Sequence, residues 1–133
     1  MTTGGGPMTW LAIAIGGAVG AMARHAVNHI IHTHAITARF PFGTLAVNLS
    51  GCLAIGLLAG AIAAGRLALP FHWREFVFVG LLGGFTTFST FGLDTLLLLR
   101  THSAGYAALN IAAHVAGGLA AVWVGYRVGA GPG

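Results

Sequence analysis

The chain has 133 residues, 56% of them hydrophobic and only 6% charged, against about 25% charged in ordinary soluble domains. Six arginines, no lysine, Glu75 and Asp94 make up the whole charge inventory, too little to solvate a globular surface at a mean hydropathy of +0.86. These figures exclude a soluble enzyme and a large extramembrane domain, and the arginines stand singly, with no basic patch to grip nucleic acid.

A helix that crosses a bilayer uses roughly 20 apolar residues, so four spans consume nearly the whole chain. The first covers residues 10–31, behind a Gly-rich start expected to be disordered as far as Pro7. Ala21-Met22-Ala23 resembles a signal-cleavage site, but no positive charge precedes the apolar run as a secretory signal requires. The segment therefore reads as a membrane helix. Near its end, His25, His29 and His32 share one helical face. That spacing suits a divalent metal or a pH sensor, although a solvated interfacial face is the simpler reading. A polar connection from His32 to Pro41 follows, with Arg39 in it.

The second span, residues 43–64, holds one strongly polar interior side chain, Asn48. An amide at that depth serves either as interhelical glue or as a donor lining a pore. Gly65 to Pro70 reads as a turn carrying Arg66. The third span, residues 72–99, is long for one crossing. Its middle, Gly83 to Gly92, packs four hydroxyls and three glycines into ten residues, which is poor helix material.

Irregular backbone at membrane depth survives only when protein covers it or it lines a cavity. A break there exposes carbonyls that suit a cation and N–H groups that suit an anion. The alternative is an unbroken helix, its threonines bonded back to the preceding turn and Gly80-x-x-x-Gly84 serving as a packing face. Phe88 and Phe91 share a face. Aromatic ring edges are positive, so this pair, enclosed by Thr86, Thr87, Ser89 and Thr90, could line the path of a small anion.

The fourth span, residues 104–126, carries Tyr106, Asn110 and His114 at a spacing of four, one polar stripe expected to face a cavity or the bundle interior. The tail VGAGPG is expected to be disordered. The architecture is all-α: a single four-helix transmembrane domain over residues 1–133, multi-pass in the lipid bilayer, with its third helix broken.

With four spans, Arg66, Arg74 and Arg127 lie on one side and Arg39 and Arg100 on the other, joined by Arg24 if it snorkels outward. The positive-inside rule then casts almost no vote. Either weak signals fix one orientation, or the chain inserts both ways and assembles as an antiparallel homodimer. Enzymatic chemistry lacks its parts: no nucleophile has a base and an orienting acid beside it, and no glycine fingerprint follows a strand. The lone Cys52 excludes an intrachain disulfide.

Three stretches carry a resemblance: GGAVGAMARH (Gly16 to His25), PFGTLAVNLSG (Pro41 to Gly51) and, most specifically, GLLGGFTTFSTF (Gly80 to Phe91). Together the chain resembles the Fluc (CrcB) fluoride-channel family. The resemblance implies a passive, fluoride-selective channel that exports cytoplasmic fluoride. It also implies a dual-topology homodimer in the plasma (cell inner) membrane, with two antiparallel pores. By the same resemblance, backbone carbonyls of Gly83 and Thr86 from both subunits would hold a central structural sodium ion. Phe88 and Phe91 would face fluoride, Asn48 would be the pore-lining amide, and Ser89, Thr90, Tyr106, Asn110 and His114 would continue the path. Arg24 would take a vestibule or structural position.

The chain departs from that pattern in places. His25 stands where an aromatic commonly follows the arginine, Gly92 where a serine often follows the second ring, and Asp94 where a glutamate is usual. The last-helix track often uses hydroxyls; here it includes His114, which would make conduction pH-dependent if it lines the pore. Two rivals differ in what they need. A small dual-topology coupled drug or cation exporter needs an acid within the first helix, which has none. A non-transporting assembly subunit would use the break and the stripe for packing alone.

Overall fold

The computed structural model describes residues 5–34 and 39–132. Among them there is no strand. Helix α1 (Pro7–His34) and helix α2 (Phe42–Ala63) are the first two spans. The third is composite. A short helix α3 (Phe71–Arg74) leads into a π-helical segment (Glu75–Leu82) and a last α-turn, α4 (Gly83–Phe85). After a two-residue break the chain resumes as α5 (Phe88–Thr101), and α6 (Ala104–Ala130) is the fourth span. All four segments are long and apolar enough to cross a membrane.

The expected spans are present, with corrected ends. Helix α1 continues past residue 31 to His34, because Thr33 Oγ1 and His34 Nδ1 each bond the Ile30 carbonyl at 2.8 Å and close the final turn. The polar connection thus starts later than the sequence suggests, and its residues 35–38 lie outside the described part. The C-terminal tail departs from expectation: Val128, Gly129 and Ala130 are helical. Arg66 donates to the Gly129 carbonyl at 3.3 Å, tying that end to the turn after α2.

Large apolar side chains point outward along the whole bundle, among them Trp10, Met22, Leu119 and Trp123. In hydrocarbon such a surface is solvated, so apolar burial does not drive the helices together. Close packing and interhelical hydrogen bonds must do so. Glycines supply the packing along two seams. In the first, Gly16 and Gly20 of α1 meet the backbone of the third span, with Gly80 and Gly84 set against Ile13, Gly16 and Gly17. In the second, Gly56 and Gly60 of α2 face α6, whose Gly125 and Gly129 face back. The Gly80-x-x-x-Gly84 packing face and the helix break are therefore both present in one segment.

The first seam discriminates between adjacent glycines. A Cβ at Gly20 would collide with the Leu81 carbonyl and stand 2.8 Å from Phe85 N, whereas one at Gly17 meets nothing nearer than 4.0 Å. Gly20→Ala should lower stability by about 1–3 kcal/mol, the range for overpacking, and Gly17→Ala should leave it near wild type. Thermal unfolding in detergent, followed by size exclusion, checks the contrast.

Candidate functional site

The break falls at Thr86 and Thr87, whose backbones are extended (φ −79°, ψ 157° and φ −150°, ψ 113°). Thr86 still closes the preceding turn, its N–H and its Oγ1 both donating to the Leu82 carbonyl at 3.0 and 2.9 Å. Thr87 does not continue the ladder. Its N–H donates to Asn48 Oδ1 at 2.8 Å, and its carbonyl accepts from Asn48 Nδ2 at 3.1 Å. A single amide on α2 thus replaces both backbone partners at the break, which lipid could not supply.

The two sides of the break differ in polarity. Because the Thr87 N–H is taken by Asn48, the Gly83 carbonyl loses its donor four residues on. Thr90 N–H bonds Thr87 Oγ1 at 3.3 Å, the side-chain cap of α5, and so the Thr86 carbonyl is released too. Carbonyl oxygen collects at the end of α4, while α5 opens with its N-terminal N–H groups. Thr87 Oγ1 also meets Ser89 Oγ at 3.2 Å and donates to Thr90 Oγ1 at 3.0 Å, so these hydroxyls form one cluster at the start of α5.

A cleft of about 370 Å³ opens beside the break, lined by Asn48, Thr86, Thr87, Phe88, Phe91 and His114 among others. The two phenyl rings lie 5.3 Å apart between centroids, tilted by 55°. Phe88 is 82% exposed on the single chain, whereas Phe91 is half-buried and faces His114 across 4.5 Å. Behind them runs a relay: Asn110 Nδ2 donates to Thr95 Oγ1 at 2.9 Å, and Thr95 Oγ1 donates to the Phe91 carbonyl at 2.7 Å. This fixes α6 to α5 at the depth of the second ring.

A family model described as "CrcB-like protein, Camphor Resistance (CrcB)" matches residues 11–126. A protein named Fluoride-specific ion channel FluC from Methylobacillus flagellatus is 42% identical over 118 residues, 89% of this chain and 91% of its own. The FluC of Paracoccus denitrificans is 45% identical over 125 residues, 92% and 95% of the two chains. FluC 2 of Nitrobacter hamburgensis is 50% identical over 103 residues, 77% and 81%. The chain belongs to the CrcB family. The resemblance carried by the three sequence stretches is borne out, and all three lie inside the matched residues. These relatives are named as ion channels, not enzymes, and with four apolar spans this CrcB-family chain is a multi-pass membrane protein, which in a bacterium resides in the plasma membrane.

Within the CrcB fold, the residues singled out from sequence do not all converge. Asn48, Thr86, Phe88, Phe91, Gly83 and His114 line one cleft. Ser89 and Thr90 are not among its lining residues and reach it only through their bonds to Thr87 Oγ1. Asn110 is fully buried behind the rings. Tyr106 parts from the stripe: its side chain is exposed, its ring 5.9 Å from that of His102. Arg24 is half-buried on α1. His25, His29 and His32 are exposed, the first two stacked at 6.4 Å, and no metal-holding cluster occurs among the described residues.

Sequence reasoning missed the partner of Asp94, which accepts from Thr44 Oγ1 of α2 at 2.7 Å. Thr44 has no local signal for this role; 50 residues separate the pair. Asn48→Ala would leave the Thr87 N–H and carbonyl without partners inside the protein. It should destabilise the fold by about 1–3 kcal/mol per buried group left unpaired, and Asn48→Leu, of similar bulk, should not rescue it. Equilibrium unfolding of the detergent-solubilised protein measures this loss.

Proposed function

We propose that this chain forms a passive, fluoride-selective channel that carries the anion out of the cytoplasm and so lowers its toxicity. The observation that carries this reading is the broken third span, with a phenyl pair and the N-terminal end of α5 beside an amide-held break, in a chain closely related to proteins named fluoride-specific ion channels. Ring edges and N–H groups offer positive potential without a fixed positive charge. A small anion finds contacts there, and a sparsely polar path makes it easy to leave.

The driving force needs no coupling machinery. Hydrogen fluoride crosses lipid as the neutral acid and dissociates in a less acidic cytoplasm, trapping the anion. A negative interior then drives each exported charge by about 2.3 kcal/mol per 100 mV. The runner-up, a small coupled drug or cation exporter, needs a membrane-embedded acid. The carboxylate nearest the rings, Asp94, already accepts a hydrogen bond from Thr44.

In this reading the unit is an antiparallel homodimer. A cleft that leaves Phe88 exposed to the outside of one subunit is completed by a second copy, and near-even arginine placement permits insertion both ways. The carbonyls of Gly83 and Thr86, freed by Asn48 and the α5 cap, fit a sodium ion, since unwound backbone carbonyls are the usual sodium ligands in broken membrane helices. When bound, that ion supplies positive charge to the carbonyl ends of both broken helices. Asn48 holds the break open for it, Ser89 and Thr90 keep the α5 terminus polar, and Asn110 braces the α5 backbone at the second ring.

Vesicles containing only the purified protein and loaded with potassium fluoride should release fluoride to an electrode once valinomycin shunts the charge. Replacing both Phe88 and Phe91 with Ile should cut that rate by about tenfold or more, equivalent to roughly 1.4 kcal/mol of lost stabilisation in transit. Release no faster than from empty vesicles would sink the channel reading, and full activity of the double variant would sink the ring path.

A further inference from the structure

His114 lies in α6 at the depth of the rings, with its imidazole against Phe91 and on the wall of the cleft. Its two nitrogens are not equivalent. Nδ1 stands 3.0 Å from the Asn110 carbonyl, a group that can only accept, so the ring carries a proton on Nδ1 and donates it there. In the neutral ring the other nitrogen, Nε2, is then a bare lone pair. That Nε2 is shut off from solvent and has no hydrogen-bond partner among the described residues. A buried polar atom without a partner calls for a cause.

We propose that His114 is a proton-operated anion contact: its Nε2 repels a passing anion when neutral and donates a hydrogen bond to it when protonated. The inference rests on the anion-channel reading above and adds regulation to the same site. An imidazolium in the membrane needs a counter-charge, and the anion in transit is that charge. Proton and anion therefore favour each other's binding, by equal factors. Acid conditions, in which fluoride loading by the neutral acid is greatest, would open the path further.

Among the described residues, α6 and the elements packed against it hold no second histidine. The elements packed against α6 are α2 and α5. On α2 the titratable side chain is Cys52, which lines the same cleft. On α5 they are Asp94, bonded to Thr44, and Arg100 at the last turn. On α6 itself Tyr106, Tyr126 and Arg127 are exposed.

The test is electrical, because neutral hydrogen fluoride carries no current. In planar bilayers with equal potassium fluoride and equal pH on both sides, macroscopic current of the wild-type protein should rise as pH falls from about 8 to about 5, the range over which imidazoles titrate. On the alkaline limb the rise approaches about tenfold per unit if conduction follows the protonated fraction. His114→Gln, whose amide donates at every pH, should conduct with a flat profile. His114→Leu should be flat and low. In a ring-nitrogen NMR titration of the whole protein, fluoride in place of gluconate should move the His114 titration to higher pH.

A wild-type current independent of pH, or a pH profile unchanged in His114→Gln, overturns this inference and leaves the channel reading standing. An unmoved NMR titration overturns it as well. Absence of fluoride current at every pH overturns both.

Discussion

Two hydrogen bonds between Asn48 and the backbone of Thr87 make the rest of the molecule possible. In hydrocarbon an unpaired peptide group is expensive, several kcal/mol by transfer estimates, so a membrane helix stays whole unless something replaces the ladder. A carboxamide is suited to this because it presents a donor and an acceptor side by side. Asp at the same place would lose the donor, and an apolar residue would lose both. Once Asn48 holds Thr87 and Thr87 Oγ1 caps Thr90, the carbonyls of Gly83 and Thr86 are released from helix bonding, and one span acquires two oppositely polarised ends.

That break sits where two rigid seams meet. Glycines let α1 lie directly on the backbone of the third span, and a second set lets α2 lie on α6. The break belongs to the first pair, whereas Asn48, Asn110 and His114 belong to the second. The cleft beside the rings is therefore assembled from both halves. The relay from Asn110 through Thr95 to the Phe91 carbonyl then ties α6 to the α5 backbone at the inner ring. Phe88, with no comparable brace, stands on the outer surface, where the proposed second copy would meet it.

Much of this was legible beforehand, for identifiable reasons. Four apolar runs separated by Pro, Gly and Arg mark the spans, and the density of hydroxyls and glycines from Gly83 to Gly92 marks a place where helix propensity fails. The partner of Asn48 was not legible, because no spacing within α2 points to a backbone group 39 residues away; the choice between glue and pore donor stayed open for that reason. The stripe on α6 divides in the single chain. A spacing of four puts Tyr106, Asn110 and His114 on one face, but Tyr106 stands in the first turn, where the side chain is exposed beside His102. Helix ends depended on local caps such as Thr33 and His34 on Ile30, and the π-helical winding before the break had no sequence signal.

In the proposed function an anion crosses this fold alone, downhill, with nothing coupled to it. The reversal potential of the purified protein in a planar bilayer under a tenfold potassium fluoride gradient tests it most directly. A passive fluoride path predicts reversal at the fluoride equilibrium potential, about 59 mV in magnitude for a single charge, with the sign that belongs to an anion. Reversal near zero, at the opposite sign, or displaced by a proton gradient at fixed fluoride would contradict the account.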